Sequence, residues 1–334
     1  MERIEALRHW LVSVMGTDAF GLSPASNDAS FRRYFRVRFD DGRPTLIVMD
    51  APPEREDCRP FVHVAELFAA AGVQVPAIHS RNFDQGFLLL SDLGDTTYLA
   101  ALAEREDSAD RLYGDALDAL VRIQLASRPA ALPEYGRELL ARELALFPDW
   151  YVGRQLGLEL SAAQRQALEE SFAVLLANNL AQPRVFVHRD YHSRNLMQGS
   201  PNPGILDFQD AVYGPVTYDL VSLLRDAYIA WPEERVIDWC IRYWEKARKA
   251  GLPVAADFAA FYRDFEWMGA QRQLKVLGIF ARLCYRDGKD GYIRDQPLVM
   301  RYLRGTCERY RELRPLARLL DELEPTERTV GYTF

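Results

Sequence analysis

The sequence predicts an α+β chain of two lobes, a small β-rich lobe over residues 1–92 and a larger, mainly helical lobe over 93–334. Three observations point there. Two runs with strand character, residues 31–39 and 45–49, lie close to the amino terminus. Apolar residues recur at helical spacing through most of the chain after residue 93. One hairpin signal, around residues 196–206, interrupts that helical part.

Met1 to Gly16 sets Ile4, Leu7, Trp10, Leu11 and Val14 at helical spacing, and Ser23 to Ser30 is turn-rich. In the next run Phe31, Phe35, Val37 and Phe39 share one parity, while Arg32, Tyr34, Arg36 and Arg38 share the other. This is a period-two strand with an apolar face and a basic face. Asp40-Asp41-Gly42 is a hairpin turn leading to a second strand over Thr45–Met49. Phe61 to Ala71 is predicted as a helix stopped by Gly72, and Phe87–Leu90 as a short buried strand. Helical pattern follows to about Asn179, punctuated by Pro129, Pro133 and Pro148. Val185–His188 is predicted as a short strand. Leu196–Gln198 and Gly204–Leu206 flank the turn Gly199-Ser200-Pro201-Asn202-Pro203 as a hairpin.

Length and composition bound the function. A chain of 334 residues has room for two cores. Its net charge of −7 argues against nucleic acid as a partner, which would require a basic stripe. The first helix lacks the apolar core of a signal peptide, and no later stretch approaches a membrane span, so no membrane partner is expected. Cys58, Cys240, Cys284 and Cys307 are scattered without a CxxC pair, which disfavours zinc and disulfides and suits a cytoplasmic location. A helical lobe that buries its apolar faces in its own core leads us to expect a monomer.

The chemistry concentrates in His188-Arg189-Asp190-Tyr191-His192-Ser193-Arg194-Asn195, which fits H-R-D-x-x-x-x-N at every specified position. Asp207-Phe208-Gln209 follows the hairpin. Phosphoryl transfer needs a carboxylate to orient or accept the hydroxyl proton, and oxygen ligands to hold magnesium against phosphates. A tight loop is expected to set Asp190 beside Asn195, and the hairpin to fold the chain back so that Asp207 faces them.

These motifs, with Gly214-Pro215 and Tyr218-Asp219-Leu220 downstream, resemble the aminoglycoside phosphotransferase and choline kinase superfamily, whose fold is protein-kinase-like. The resemblance spans about Ser26 to Leu323. It implies ATP and Mg2+, Asp190 as catalytic base, Asn195 and Asp207 as metal ligands, and Asp219 as a tie for the catalytic loop. It also implies nucleotide contacts from Ser26, Asn27, Ser30, Ile47, Leu90 and Asp92, and a helix carrying Glu66. Two departures stand out. The loop Ser26–Ser30 lacks glycine, and Met49 occupies the place of the strand lysine. Arg33, on the parity of Phe35 and Val37, is the candidate replacement cation.

A narrower likeness rests on residues 26–34 and 46–53, on His188–Met197 and on Gly204–Asp210. These are similar to the bacterial anomeric kinases of cell-wall amino sugars, a family that shares the methionine. That resemblance implies phosphorylation of the C1 hydroxyl of N-acetylmuramate and N-acetylglucosamine in peptidoglycan recycling. His192, Gln209, Arg225, Trp231, Trp267, Gln271 and Arg272 are the expected sugar contacts, with aromatic faces for the ring and arginine for the lactyl carboxylate. Two alternatives stay open: another small-molecule kinase (aminoglycoside, choline, homoserine or fructosamine), or a nucleotide-binding pseudokinase.

Overall fold

The computed structural model describes residues 3–26 and 31–325. Two compact units are present: Met1–Ala126 with Arg194–Ala211, and Ser127–Ser193 with Val212–Phe334.

In the first unit, α1 (Arg3–Met15) precedes β1 (Phe20–Ser26), β2 (Arg33–Phe39) and β3 (Leu46–Asp50). Then come α2 (Arg59–Ala70), β4 (Ile78–Asn82), β5 (Phe87–Ser91), α3 (Tyr98–Glu104) and α4 (Ala109–Leu125). The five strands form an antiparallel sheet of order β1-β2-β3-β5-β4. β1 lies partly where a turn-rich stretch was expected: Leu22, Ser23 and Pro24 pair with Val37, Arg36 and Phe35. Tertiary pairing with an already apolar β2 outweighs the turn-forming composition there. The turn after β2 holds Gly42 at φ +78°, and α2 is followed by Gly72 at φ +75°, both in the left-handed region that glycine enters without penalty.

The sheet has two distinct faces. Val37, Val48, Phe87 and Leu89 pack with Phe20 against Leu7 and Leu11 of α1, with Phe35 and Phe39 alongside. The opposite face carries Tyr34 and Arg36 in register with Met49 and Ile47, which are in turn opposite Leu88 and Leu90.

The unit regains the chain at β7 (Leu196–Met197) and β8 (Gly204–Ile205), the expected hairpin, paired Leu196 to Ile205 and Met197 to Gly204. Asn202 Nδ2 donates to Tyr98 Oη at 2.8 Å and to Asp115 Oδ2 at 2.7 Å. Gln198 N donates to Thr96 O at 2.8 Å. These bonds draw α3, α4 and the hairpin together, so the compact unit extends past the lobe boundary expected at residue 92.

The second unit contains α5 (Arg137–Leu146), α6 (Ala162–Ala181), β6 (Arg184–Val187), β9 (Val212–Pro215) and α7 (Tyr218–Leu224). α8 (Glu233–Lys249), α9 (Phe258–Asp287), α10 (Gln296–Arg309) and α11 (Arg314–Leu323) complete it. β6 pairs antiparallel with β9, a strand not anticipated from the sequence. The long helix α9 begins at Asp257, whose side chain accepts from Ala260 N, and ends at Gly288 with φ +70°. Its middle turns, from Phe265 to Gly278, are almost wholly buried. No described helix is long and apolar enough to cross a membrane.

Candidate active site

In the second unit the loop after β6 is pinned by a buried carboxylate. Asp219, in the first turn of α7, accepts from His188 N at 2.6 Å and Arg189 N at 2.9 Å. Arg189 lies at φ +78°, a costly conformation for a residue with a side chain. The two bonds to Asp219 help hold that turn in place. Burial raises the Asp219 pKa to about 6, against the opposing pull of His188 and the two N–H groups. Further along, Asp226 Oδ2 accepts from Ser193 N at 2.9 Å and from Ser193 Oγ at 2.5 Å. The loop is thus anchored at both ends.

Asp190 lies between these anchors with its side chain 45% exposed. Its backbone N–H faces His188 Nδ1 at 3.2 Å, and its carbonyl accepts from His192 N at 3.0 Å. Burial alone would raise its pKa, but Lys275, His192, Arg272 and Arg189 together lower it to about 2. The carboxylate is therefore ionised at neutral pH, the state a proton acceptor requires.

Beneath the loop is a charged network that the sequence did not reveal. Arg189 Nη2 and Lys275 Nζ lie 2.7 and 3.1 Å from Glu143 Oε1, and Tyr135 Oη donates to the other carboxylate oxygen. Lys275 Nζ also donates to Tyr218 Oη at 2.8 Å. Burial would raise the Glu143 pKa, yet Lys275 and Arg189 hold it below the usual value. A lone lysine between Leu274 and Val276 was the available signal.

In the first unit the hairpin brings Asn195 and Asp207 together. Leu206 N donates to Asn195 O at 2.9 Å, and Asn195 Nδ2 is 3.5 Å from Asp207 Oδ2. Asp207 has φ +60°, and the following Phe208 packs its ring 4.8 Å from that of Phe61 and 5.9 Å from that of Phe68, both on α2. That wedge fixes where Asp207 can point. A carboxylate and a carboxamide oxygen on the flanks of one hairpin suit a small hard cation that keeps water and phosphate ligands, as Mg2+ does. Gln209 Nε2 donates to Asp207 Oδ1 at 2.8 Å, and Arg32 Nη2 approaches the same oxygen at 3.5 Å.

Ile47 and Leu90 lie opposite each other on the sheet face away from α1. Ser26 ends β1, while Asn27 and Ser30 lie outside the described residues.

Three of the expected residues have other partners. Arg33 is on the α1 side, with its guanidinium 2.5 Å from Asp50 Oδ2, while Arg3 of α1 binds Oδ1 of the same carboxylate at 2.6 Å. Asp92 accepts from Arg36 at 2.6 and 3.1 Å, from Thr45 Oγ1 and from Gly94 N, so it ties the end of β5 to neighbouring chain. Glu66 is exposed and lies 3.7 Å from Arg81.

In the second unit Arg225 is buried, bonded to Glu266 at 2.7 Å and Thr306 at 2.8 Å. Trp231 packs edge-on against Trp239, and Trp267 against Tyr310. Gln271 donates to Leu140 O from a buried position. All four are buried, each with partners inside the helical unit. His192 and Arg272 do lie beside Asp190: the His192 ring meets Tyr228, and Arg272 Nη2 is 4.0 Å from Asp190 Oδ1.

Comparison with known proteins decides the family. Residues 21–258 match the description "Phosphotransferase enzyme family". The chain belongs to this phosphotransferase family. Among its curated relatives is the N-acetylmuramate/N-acetylglucosamine kinase of Neisseria meningitidis serogroup B, 52% identical over the full length of both chains. The Pseudomonas aeruginosa protein of the same name is 53% identical, over 90% of this chain and 88% of its own. Solved phosphotransferase-family structures share the fold. A choline/ethanolamine kinase family protein from Mesorhizobium loti superposes with TM-score 0.62 at 15% identity, covering 96% of this chain and 99% of its own. An ADP-bound aminoglycoside phosphotransferase gives 0.58 at 15% identity, covering 90% and 97%. The fold is the two-lobed, protein-kinase-like one, with a five-stranded antiparallel sheet followed by a mainly helical part.

Proposed function

We propose that this chain is an ATP-dependent sugar kinase that phosphorylates the anomeric C1 hydroxyl of N-acetylmuramate and N-acetylglucosamine. The observation that carries the reading is identity above one half, over the whole chain, to a relative bearing that name. The loop geometry around Asp190 suits the chemistry. Its ionised carboxylate takes the C1 hydroxyl proton as that oxygen attacks the γ-phosphoryl group. A new O–P bond forms, the bond from the γ-phosphorus to the bridging oxygen breaks, and ADP leaves with the electron pair. Asp219 and Asp226 hold the loop so that Asp190 needs little reorganisation. Magnesium held by Asn195 and Asp207 would neutralise charge on the β- and γ-phosphate oxygens. ATP as donor puts the reaction in the cytoplasm, which cell fractionation checks.

The test is magnesium-dependent ADP release with N-acetylmuramate, N-acetylglucosamine and kanamycin in parallel. Turnover on the two sugars, with loss of reducing-end reactivity in the product, is expected. Asp190→Asn should lower kcat by roughly 10²–10⁴. Turnover on kanamycin alone, or a product that still reduces, would overturn the substrate or the position.

A further inference from the structure

A kinase-like sheet neutralises nucleotide phosphate charge with a lysine on its third strand. Here Met49 fills that position on β3, fully buried, and a thioether carries no charge. The sheet can supply a compensating cation from the same face, the one that bears Tyr34, Arg36, Ile47, Met49, Leu88 and Leu90. Among the described arginines of β2 and the residue before it, Arg33 points to the α1 side and is held by Asp50. Arg36 is committed to Asp92 through two bonds and to Gly94 O at 2.9 Å. Arg38 is exposed. Arg32, one residue before β2, is different. Its side chain is 9% exposed, and its Nη2 lies 3.5 Å from Oδ1 of Asp207.

We infer that Arg32 is the nucleotide-phosphate cation of this enzyme, taking over from the loop side the role that a strand lysine has elsewhere. The inference rests on the kinase reading above. Asp207 is the carboxylate of the candidate metal pair, so a guanidinium beside it is set where phosphate oxygens and their counter-ion meet. A planar guanidinium offers several donors in a fixed fork, and it contacts two phosphate oxygens where an ammonium contacts one. It also accounts for a methionine being tolerated on β3: with the charge delivered from residue 32, position 49 is free to be apolar and to pack under the sheet. The order of residues separates this assignment from its sequence neighbour, since Arg32 and Arg33 serve opposite faces.

The experiment is calorimetric titration of the full chain with ADP and with adenosine, both in EDTA, so that metal is absent and catalysis plays no part. Arg32→Ala should weaken ADP binding roughly tenfold to a hundredfold, the loss of a charge-assisted contact. Adenosine, which has no phosphate, should bind the variant within about twofold of wild type, and Arg32→Lys should recover part of the ADP affinity. Arg33→Ala should leave the ADP dissociation constant within about twofold. Unchanged ADP affinity in Arg32→Ala would overturn the assignment, as would a parallel loss of adenosine and ADP, which marks a purely structural residue. Failure of the wild-type protein to bind adenosine, and ADP both in EDTA and with added Mg2+, is a distinct result and would overturn the kinase reading itself.

Discussion

Arg272 Nη2 stands 4.0 Å from Asp190 Oδ1, with the arginine side chain 7% exposed on α9. The arginine joins Lys275 and His192 in holding the Asp190 carboxylate ionised. Removing the arginine withdraws one of the cations that hold the Asp190 pKa near 2, so that pKa rises. In the proposed mechanism, protonation of Asp190 disables it as base, so a higher pKa leaves less of it active at a given acidic pH. Arg272→Ala should also lower kcat at pH 7 by roughly 10- to 100-fold through lost orientation. Arg272→Lys should restore the Asp190 pKa more fully than the rate. An NMR titration of the Asp190 carboxyl in the three proteins, with kcat measured at pH 7, checks both, and an unmoved Asp190 pKa in the alanine variant would dismiss the electrostatic part.

Asp219 sets stability and activity against each other. Its folded-state pKa of about 6 exceeds the ordinary 3.8, chiefly through burial. Between those values the folded protein holds a proton that the unfolded chain has released. Stability from this group is complete below 3.8 and is lost as pH rises through 6, by on the order of 3 kcal/mol. Activity runs the other way, because the ionised carboxylate accepts both loop N–H groups. Melting curves of wild type and Asp219→Asn from pH 4 to 8 should therefore diverge, with wild type losing ground as pH rises. Wild-type kcat should fall as pH drops below about 6. A melting difference that is constant across pH would show that Asp219 does not titrate in this window.

The sequence carried the reactive residues and the hairpin that joins two of them, but not the surroundings. His188–Asn195 and Asp207 stand out because chemistry fixes residue type at fixed spacing, and Asn195 and Asp207 are flanked by a turn that can be recognised locally. Alternation along β2 divides the strand into two faces without telling which face meets which neighbour, so it offers Arg33 to the nucleotide as readily as Arg32. Leu7 and Leu11 of α1 settle that, through long-range packing on the face of Val37. The same limit applies to Trp231, Trp267, Gln271 and Arg225. Aromatic and polar residues on helices look alike whether they face a sugar or the core, and only the packing of Trp239, Tyr310, Leu140 and Glu266 distinguishes them. Glu143 and Lys275 are 132 residues apart and meet only in the folded unit.

That meeting is itself a stability element. Lys275 and Arg189 share one carboxylate oxygen of Glu143, which ties the loop that carries Arg189 and Asp190 to α5 and α9. Lys275→Met leaves a buried carboxylate with one cation fewer, at a cost of roughly 3–5 kcal/mol. Adding Glu143→Gln removes the stranded charge, so the double variant should recover part of that loss. Urea unfolding of the two singles and the double closes the cycle. Additive effects would show that the two groups do not interact.

Two helical glycines should respond to alanine with opposite signs. A Cβ on Gly278 in α9 would lie 2.4 Å from the backbone carbon and oxygen of Leu146, at the end of α5. Backbone cannot yield as a flexible side chain can, so the two helices must separate. Alanine is the better helix former by about 1 kcal/mol, but overpacking of this kind costs roughly 1–3 kcal/mol or more, and the clash wins. Gly305, exposed in α10, meets nothing within 4 Å of its added Cβ. There only the propensity and the unfolded-chain entropy remain, and alanine should stabilise by about 0.4–1 kcal/mol. Differential scanning calorimetry of the two variants compares them directly. A Gly278→Ala protein that melts above wild type would mean that α5 and α9 have slack at their crossing, and the close approach at Leu146 would then have no energetic consequence.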